Sequence, residues 1–162
     1  MYDRFASPLL AICIRYMGSR DEAEDVLHDA FLKIFDKLDR FEFRSDAELG
    51  GWVRRVTVNH CLDLLRKRRL KSVSLDALPD LPEEEPDSGE VRKIPPAVLM
   101  KMISDLPEGY RTVFNLFCME GWSHRDIGLK LGIGEKSSSS QYSRARALLA
   151  KKIKDYLNGQ EG

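Results

Sequence analysis

The chain reads as all-α, two small helical domains joined by an acidic, proline-rich linker. Three observations predict this. Apolar residues recur at steps of three and four along most of the chain, the spacing that lays one helix face on a core. Between Ser72 and Pro96 the composition shifts to five prolines, the run Glu83-Glu84-Glu85 and few apolar residues. Such a segment is extended and self-repelling. Beyond it, a short capped helix, a glycine turn and a longer helix follow in the order of a helix-turn-helix. The expected domains are residues 1–71 and 97–162, with 72–96 as the linker.

Hydrophobic residues make up 43% of the 162, enough for packed cores. Lys+Arg and Asp+Glu are both 26, so net charge names no partner. Its distribution does: Trp52 to Lys71 holds seven basic residues against one acidic, and Ser72 to Pro96 seven acidic against two basic. A neutral chain sorted this way is expected to bind a polyanion locally. Cys13, Cys61 and Cys118 lie far apart in apolar helical patterns, so all three are expected as buried small hydrophobes in a reducing cytoplasm. No Cys/His spacing supports a disulfide framework, a zinc site or any other cofactor. No apolar run approaches the roughly 18 residues of a membrane span, and no leader pattern opens the chain. A cytoplasmic protein without direct membrane insertion is expected.

The elements follow in order. Phe5, Leu9, Ile12, Cys13, Tyr16 and Met17 mark a first helix that stops at Gly18. Ser19-Arg20-Asp21-Glu22 is a capping box. It opens a helix with the core stripe Ala23, Val26, Leu27, Ala30, Phe31, Ile34, Phe35 and Leu38. The opposite face carries Glu24, Asp25, His28, Asp29, Leu32 and Lys33, read from pattern alone as an ordinary solvated face. Phe41 to Gly51 breaks the helical pattern and reads as an ordered, irregular loop that either closes over a base or is a connector held by its aromatics.

Trp52 to Lys71 is one helix with two stripes. Val53, Val56, Thr57, Cys61, Leu64 and Leu65 face a core. Trp52, Arg55, Asn59, Asp63 and Arg66 recur at the same steps on another face. An amide and a guanidinium can read base edges, an aromatic can stack on an unpaired base, and Arg66-Lys67-Arg68-Arg69 can hold phosphates. A solvated face with a basic last turn that complements the helix dipole is the competing reading.

After the linker, Val98, Leu99, Met102 and Ile103 form a short helix ending near Leu106-Pro107. Tyr110, Val113, Phe114, Leu116 and Phe117 mark the next, running to Glu120-Gly121. Ser123 caps a third, with Ile127 and Leu131 inward and Gly132 as the turn. The last runs from about Glu135 to Tyr156 with Tyr142, Ala145, Leu148, Leu149 and Ile153 inward, and is the helix placed to enter a major groove.

No enzyme signature is present. Gly132-Ile133-Gly134-Glu135-Lys136-Ser137 lacks the strand and glycine spacing of a phosphate loop. Asp25 and Asp29 have no third ligand, and Ser137 to Ser140 have no base placed by sequence. Two weak DNA contacts on a tether gain affinity through effective concentration. The C-terminal domain suits duplex, the N-terminal one unstacked single strand.

These residues resemble the extracytoplasmic-function (ECF, group IV) sigma factors of the sigma-70 family, over nearly the whole chain. Asp21 to Lys33 resembles the region 2 helix that docks on the clamp helices of RNA polymerase. That implies polymerase contacts at Asp25, His28, Asp29, Leu32 and Lys33. Gly51-Trp52-Val53 with Asn59, Asp63 and the arginine cluster resembles the segment that melts and reads the −10 element, implying Trp52, Arg55, Asn59, Asp63, Arg66, Arg68 and Arg69. The loop that receives a flipped base corresponds to Phe41–Gly51. Leu106-Pro107 to Leu149 resembles region 4, ending in Ser143-Arg144-Ala145-Arg146, with −35 contacts implied at Lys136, Ser137, Ser139, Ser140, Gln141, Arg144 and Arg146. Gly134 stands where relatives place a capping Ser or Pro, and a serine run where relatives often carry another cation.

The expected function is a sigma factor that binds core polymerase through its clamp helices and flap, directs it to promoter DNA and helps melt the duplex. An anti-sigma protein is an expected partner. The alternatives are a sigma-like helical adaptor acting by protein binding alone, and a two-domain repressor.

Overall fold

A computed structural model describes residues 2–40, 42, 44–71 and 86–161, the side chains of 69–71, 160 and 161 excepted. Among these residues it contains eight α-helices and no strand. The chain divides into two compact units, Met1–Val73 and Ser74–Gly162.

The N-terminal unit is a three-helix bundle in which every helix touches the other two: α1 (Tyr2–Met17), α2 (Arg20–Lys37) and α3 (Asp46–Lys71). Ser19 caps α2, its hydroxyl accepting from the Glu22 amide at 3.2 Å. The core takes Leu9, Ile12, Cys13, Tyr16 and Met17 from α1 and Ala23, Val26, Leu27, Ala30, Phe31 and Ile34 from α2. The α2 stripe stops short of the expected one: Phe35 is 46% exposed and Leu38 is half-buried. Tyr2, in the first turn of α1, covers Phe31 at 4.7 Å, and Phe35 lies one turn past the end of that cover.

α3 starts six residues earlier than expected. Ser45 accepts from the Glu48 amide at 3.2 Å, so Ser45-Asp46-Ala47-Glu48 has the spacing of a second capping box. Gly50 and Gly51 therefore lie inside a helix rather than a loop, and Leu49 is buried. Phe41 and Phe43, in the expected loop, lie outside the described residues. Val53, Thr57, Cys61 and Leu65 are buried as expected, and Thr57 donates to the Val53 carbonyl at 2.8 Å. Val58, His60 and Leu62 are buried too, whereas Val56 and Leu64 are only half-buried. A helix packed against two others buries a wider arc than a single stripe, which accounts for the extra residues.

The C-terminal unit contains a short α4 (Ser88–Val91), α5 (Pro96–Ser104), α6 (Glu108–Phe114), α7 (His124–Leu131) and α8 (Glu135–Glu161). Ile94 is buried in its core beside Met102, Ile103, Leu106, Tyr110, Phe114, Ala145, Leu149 and Ile153, with Val91 packed against them. Residues 88–94 thus fold onto this core, although composition assigned them to the linker: one isoleucine is too few for a periodic signal. Residues 72–85 lie outside the described residues. The buried Arg111 donates to the Ser104 and Leu106 carbonyls at 3.2 and 3.1 Å, closing the end of α5. α6 passes into a π-helical turn at Asn115–Met119 instead of running on as α-helix. Cys118 stands exposed in that turn, so only Cys13 and Cys61 are the buried thiols expected of all three.

Candidate nucleic-acid interface

Four members of the polar stripe on α3, Arg55, Asn59, Asp63 and Arg66, are exposed together, with Trp52 half-buried at its head. Steps of four, four and three residues place them within an arc of about 80° around the helix axis. Arg68 forms an ion pair with Glu22 of α2, tying the basic end of α3 to the start of the neighbouring helix. The Arg69 side chain lies outside the described residues.

At the N-terminal end of this stripe is an open pocket of about 490 Å³, lined by Arg40, Glu42, Arg44, Ala47, Glu48, Gly51 and Arg55. Glu42 and Arg44 face each other at 3.8 Å. Sequence reasoning placed a base-receiving loop here but passed over Arg40. The signal available was its spacing: Arg40 and Arg44 flank the segment between two helices.

On α2, Asp25, His28, Asp29, Leu32 and Lys33 are all exposed, Leu32 by 57%. Beneath them lies a residue that pattern reading did not single out. His60 of α3 is buried, and neither ring nitrogen has a hydrogen-bond partner among the described residues. Burial holds its pKa below the ordinary histidine value, and Lys33 and Lys67 push the same way against Asp29 and Asp63. Deeper in the bundle, Cys61 hydrogen-bonds Cys13, and this contact together with burial raises the Cys61 thiol well above its usual pKa.

In the C-terminal unit α7 and α8 form the expected hairpin. Ser123 caps α7 by accepting from the Asp126 amide at 3.1 Å. Gly132 ends it in the left-handed region, φ 73° and ψ 33°, a conformation that costs other residues more. The turn then folds onto Gly128: a Cβ there would lie 2.6 Å from the Ile133 carbonyl oxygen. α8 starts at Glu135, so Gly134 occupies the capping position without a side chain to offer.

Lys136, Ser137, Ser139 and Ser140 are exposed at the front of α8. Gln141 is half-buried and donates to Ser137 at 3.2 Å. The two expected arginines sit differently. Both are half-buried; Arg144 donates to the Tyr110 hydroxyl at 3.4 Å, and the Arg146 guanidinium stands 4.9 Å above the Tyr142 ring. Arg144 thereby ties α8 to α6, whereas Arg146 and Tyr142 lie one turn apart on α8 itself. Ser138, alone in the serine run, is fully buried. Among the described residues no cluster of His, Cys, Asp or Glu can hold a metal ion, and no helix is long and apolar enough to cross a membrane.

The two units match two family models: Sigma-70 region 2 over residues 1–71 and Sigma-70, region 4 over residues 97–149. The chain is 32% identical over 141 residues to the ECF RNA polymerase sigma factor SigM of Mycobacterium tuberculosis, covering 85% of this chain and 67% of that one. It belongs to the ECF sigma factors of the sigma-70 family. These are non-enzymatic polymerase subunits that direct promoter-specific transcription initiation, with DNA bound through the region 4 helix-turn-helix. The ECF sigma factor SigE of Mycolicibacterium smegmatis is 27% identical over 94% of this chain, which spans only 58% of that relative's length. SigW of Bacillus subtilis is 27% identical, with 94% and 87% covered. A solved complex of the Bartonella quintana sigma factor RpoE with the anti-sigma factor NepR shares the fold, with a TM-score of 0.54, 24% identity and 94% of each chain covered.

Proposed function

We propose that this sigma factor divides promoter recognition between its units. The region 2 unit captures and reads the −10 strand as the duplex opens, and the region 4 unit holds the −35 duplex. The observation that carries this is α3: Arg55, Asn59, Asp63 and Arg66 form one exposed stripe opposite a buried one, with a polar pocket at its head. Two guanidiniums, an amide and a carboxylate at helical spacing offer donors and acceptors to unpaired base edges, and the half-buried Trp52 offers a stacking surface. Lys136, Ser137, Ser139, Ser140, Gln141 and Arg146 meet the −35 duplex, and Arg144 acts on it by holding α8 against α6.

Core polymerase docks on α2 through Asp25, His28, Asp29, Leu32 and Lys33. An exposed leucine ringed by charges is the form of an interface anchor with a polar rim. Exposed Leu129 and Met119 support a second protein contact on the C-terminal unit, with the polymerase flap as its partner. An anti-sigma partner is supported by the complex formed by the Bartonella relative. With no apolar spanning helix among the described residues, the chain works in the cytoplasm beside the polymerase.

Run-off transcription with purified core polymerase tests this. Promoter-dependent transcripts are expected, and Asn59→Ala is expected to reduce them without weakening polymerase binding. Tight polymerase binding with no promoter-dependent transcript would instead favour a protein-binding adaptor.

A further inference from the structure

The front of α8 poses a problem that hydrophobicity does not solve. Ser137, Ser138, Ser139 and Ser140 are chemically identical, and successive residues point about 100° apart around the helix. Ser138 stands four and seven residues before Tyr142 and Ala145, on the face that α8 buries, but within the serine run a local turn of the helix end would put another serine at the α7 interface at little cost in burial. Lys136 and Gln141 would then face a different part of the groove. The structure nevertheless buries Ser138 completely and leaves its three neighbours exposed.

What distinguishes Ser138 is His124, the first residue of α7. Its Nδ1 lies 2.8 Å from the Ser138 hydroxyl. The imidazole is itself held in place, stacked on Phe117 with ring centres 4.2 Å apart and planes 4° from parallel, and lying 5.9 Å from Tyr142. Phe117 in turn packs on Tyr142 at 4.5 Å. The rest of the α7 contact, Ile127 and Leu131, is apolar and carries no direction. A hydrogen bond does, and a single polar pair inside an apolar interface is a known means of fixing helix register.

We propose that His124 is a positioning residue for −35 recognition: its bond to Ser138 sets the rotation of α8, and so which base edges Lys136, Ser139, Ser140 and Gln141 reach. This rests on the −35 reading proposed above for the same helix. The bond holds the first turn of α8 on the face that Tyr142 and Ala145 continue, and the aromatic stack on Phe117 keeps the imidazole from following a rotated turn.

The test is a transcription profile of holoenzyme on a promoter set in which each −35 base pair is replaced in turn, with melting of each full-length variant measured alongside. A wild-type profile that is flat across the set would refute the −35 reading itself; a structured one leaves the His124 role to be decided by the variants. Ser138→Ala and His124→Phe, which keeps the stack on Phe117, are each expected to flatten or shift discrimination by about tenfold at the positions read by α8. The double variant is expected to do no more than either alone, since all three lose the same bond. His124→Asn, whose amide lies as many bonds from the backbone as Nδ1, is expected to restore the wild-type profile. Should His124→Phe fail to fold, Ser138→Ala against His124→Asn carries the same comparison. Folded bond-deleting variants with the wild-type profile would overturn the proposal, as would His124→Asn behaving like His124→Phe.

Discussion

The two units orient the helices proposed to meet DNA by different means. α3 is oriented by apolar burial: Val53, Thr57, Val58, Cys61, Leu62 and Leu65 sink into α1 and α2, and the exposed stripe follows as the remainder. The first two turns of α8 contain no apolar residue before Tyr142. That end is set by polar and steric devices: the His124–Ser138 bond, the close approach of the turn to Gly128, and the Arg144–Tyr110 bond to α6. A core-oriented helix tolerates change on its outer face. A helix oriented by a few directional contacts does not.

The largest effect expected from this contrast is at Gly128. An alanine Cβ would meet the Ile133 carbonyl well inside contact distance, and backbone, not a flexible side chain, would have to move. Gly128→Ala is expected to destabilise the C-terminal unit by about 2–4 kcal/mol. Hydrogen exchange should show α7 and α8 opening while α1 to α3 keep their protection. Equal loosening of both units would contradict their independence. A smaller effect, about 1 kcal/mol, is expected for Ser45→Ala, which removes the cap of α3. It should appear as fraying of residues 46–51 and leave the C-terminal unit unchanged.

The buried histidine gives the comparison a pH axis. His60 has its folded pKa below the ordinary value near 6.5. As pH falls through about 6.5 the unfolded chain takes up a proton that the folded bundle refuses, so stability of the N-terminal unit is lost from there down to the folded pKa. Urea titrations between pH 7.5 and about 5 should show this slope. His60→Leu should remove His60's share of it, with the C-terminal unit serving as the internal reference. The smallest effect is a matter of access. One thiol per chain, Cys118, is expected to react promptly with a thiol reagent in the native protein, and Cys13 and Cys61 only once the bundle unfolds. Prompt reaction of all three would contradict the packing of α1 on α3.

Much of the architecture was legible in the sequence, and the reasons differ by element. α2 was readable because Ser19 and Glu22 mark its start and eight apolar residues keep one period; Phe35 was misjudged because period alone does not say where the neighbouring helix ends. The start of α3 was missed because Gly50-Gly51 reads as a breaker, whereas Ser45 and Glu48 cap a helix long enough to absorb both. The polar stripe from Arg55 to Arg66 was read correctly as one exposed face, since helical period assigns faces without tertiary knowledge. The inward turn of Arg144 was not readable, because it depends on Tyr110 meeting it from another helix of the folded unit. Ser138 continues the period of Tyr142, Ala145 and Leu149 and so could have been placed inward, but its partner 14 residues away could not be read.

The central claim is that the exposed stripe of α3 captures the opened strand. It is tested most directly by permanganate reactivity of promoter thymines in holoenzyme carrying the wild-type chain or Asn59→Ala/Asp63→Ala at equal promoter occupancy. Thymines around the −10 element are expected to react with the wild-type chain and to fall silent with the variant. Undiminished reactivity in the variant would mean that the strand is held elsewhere.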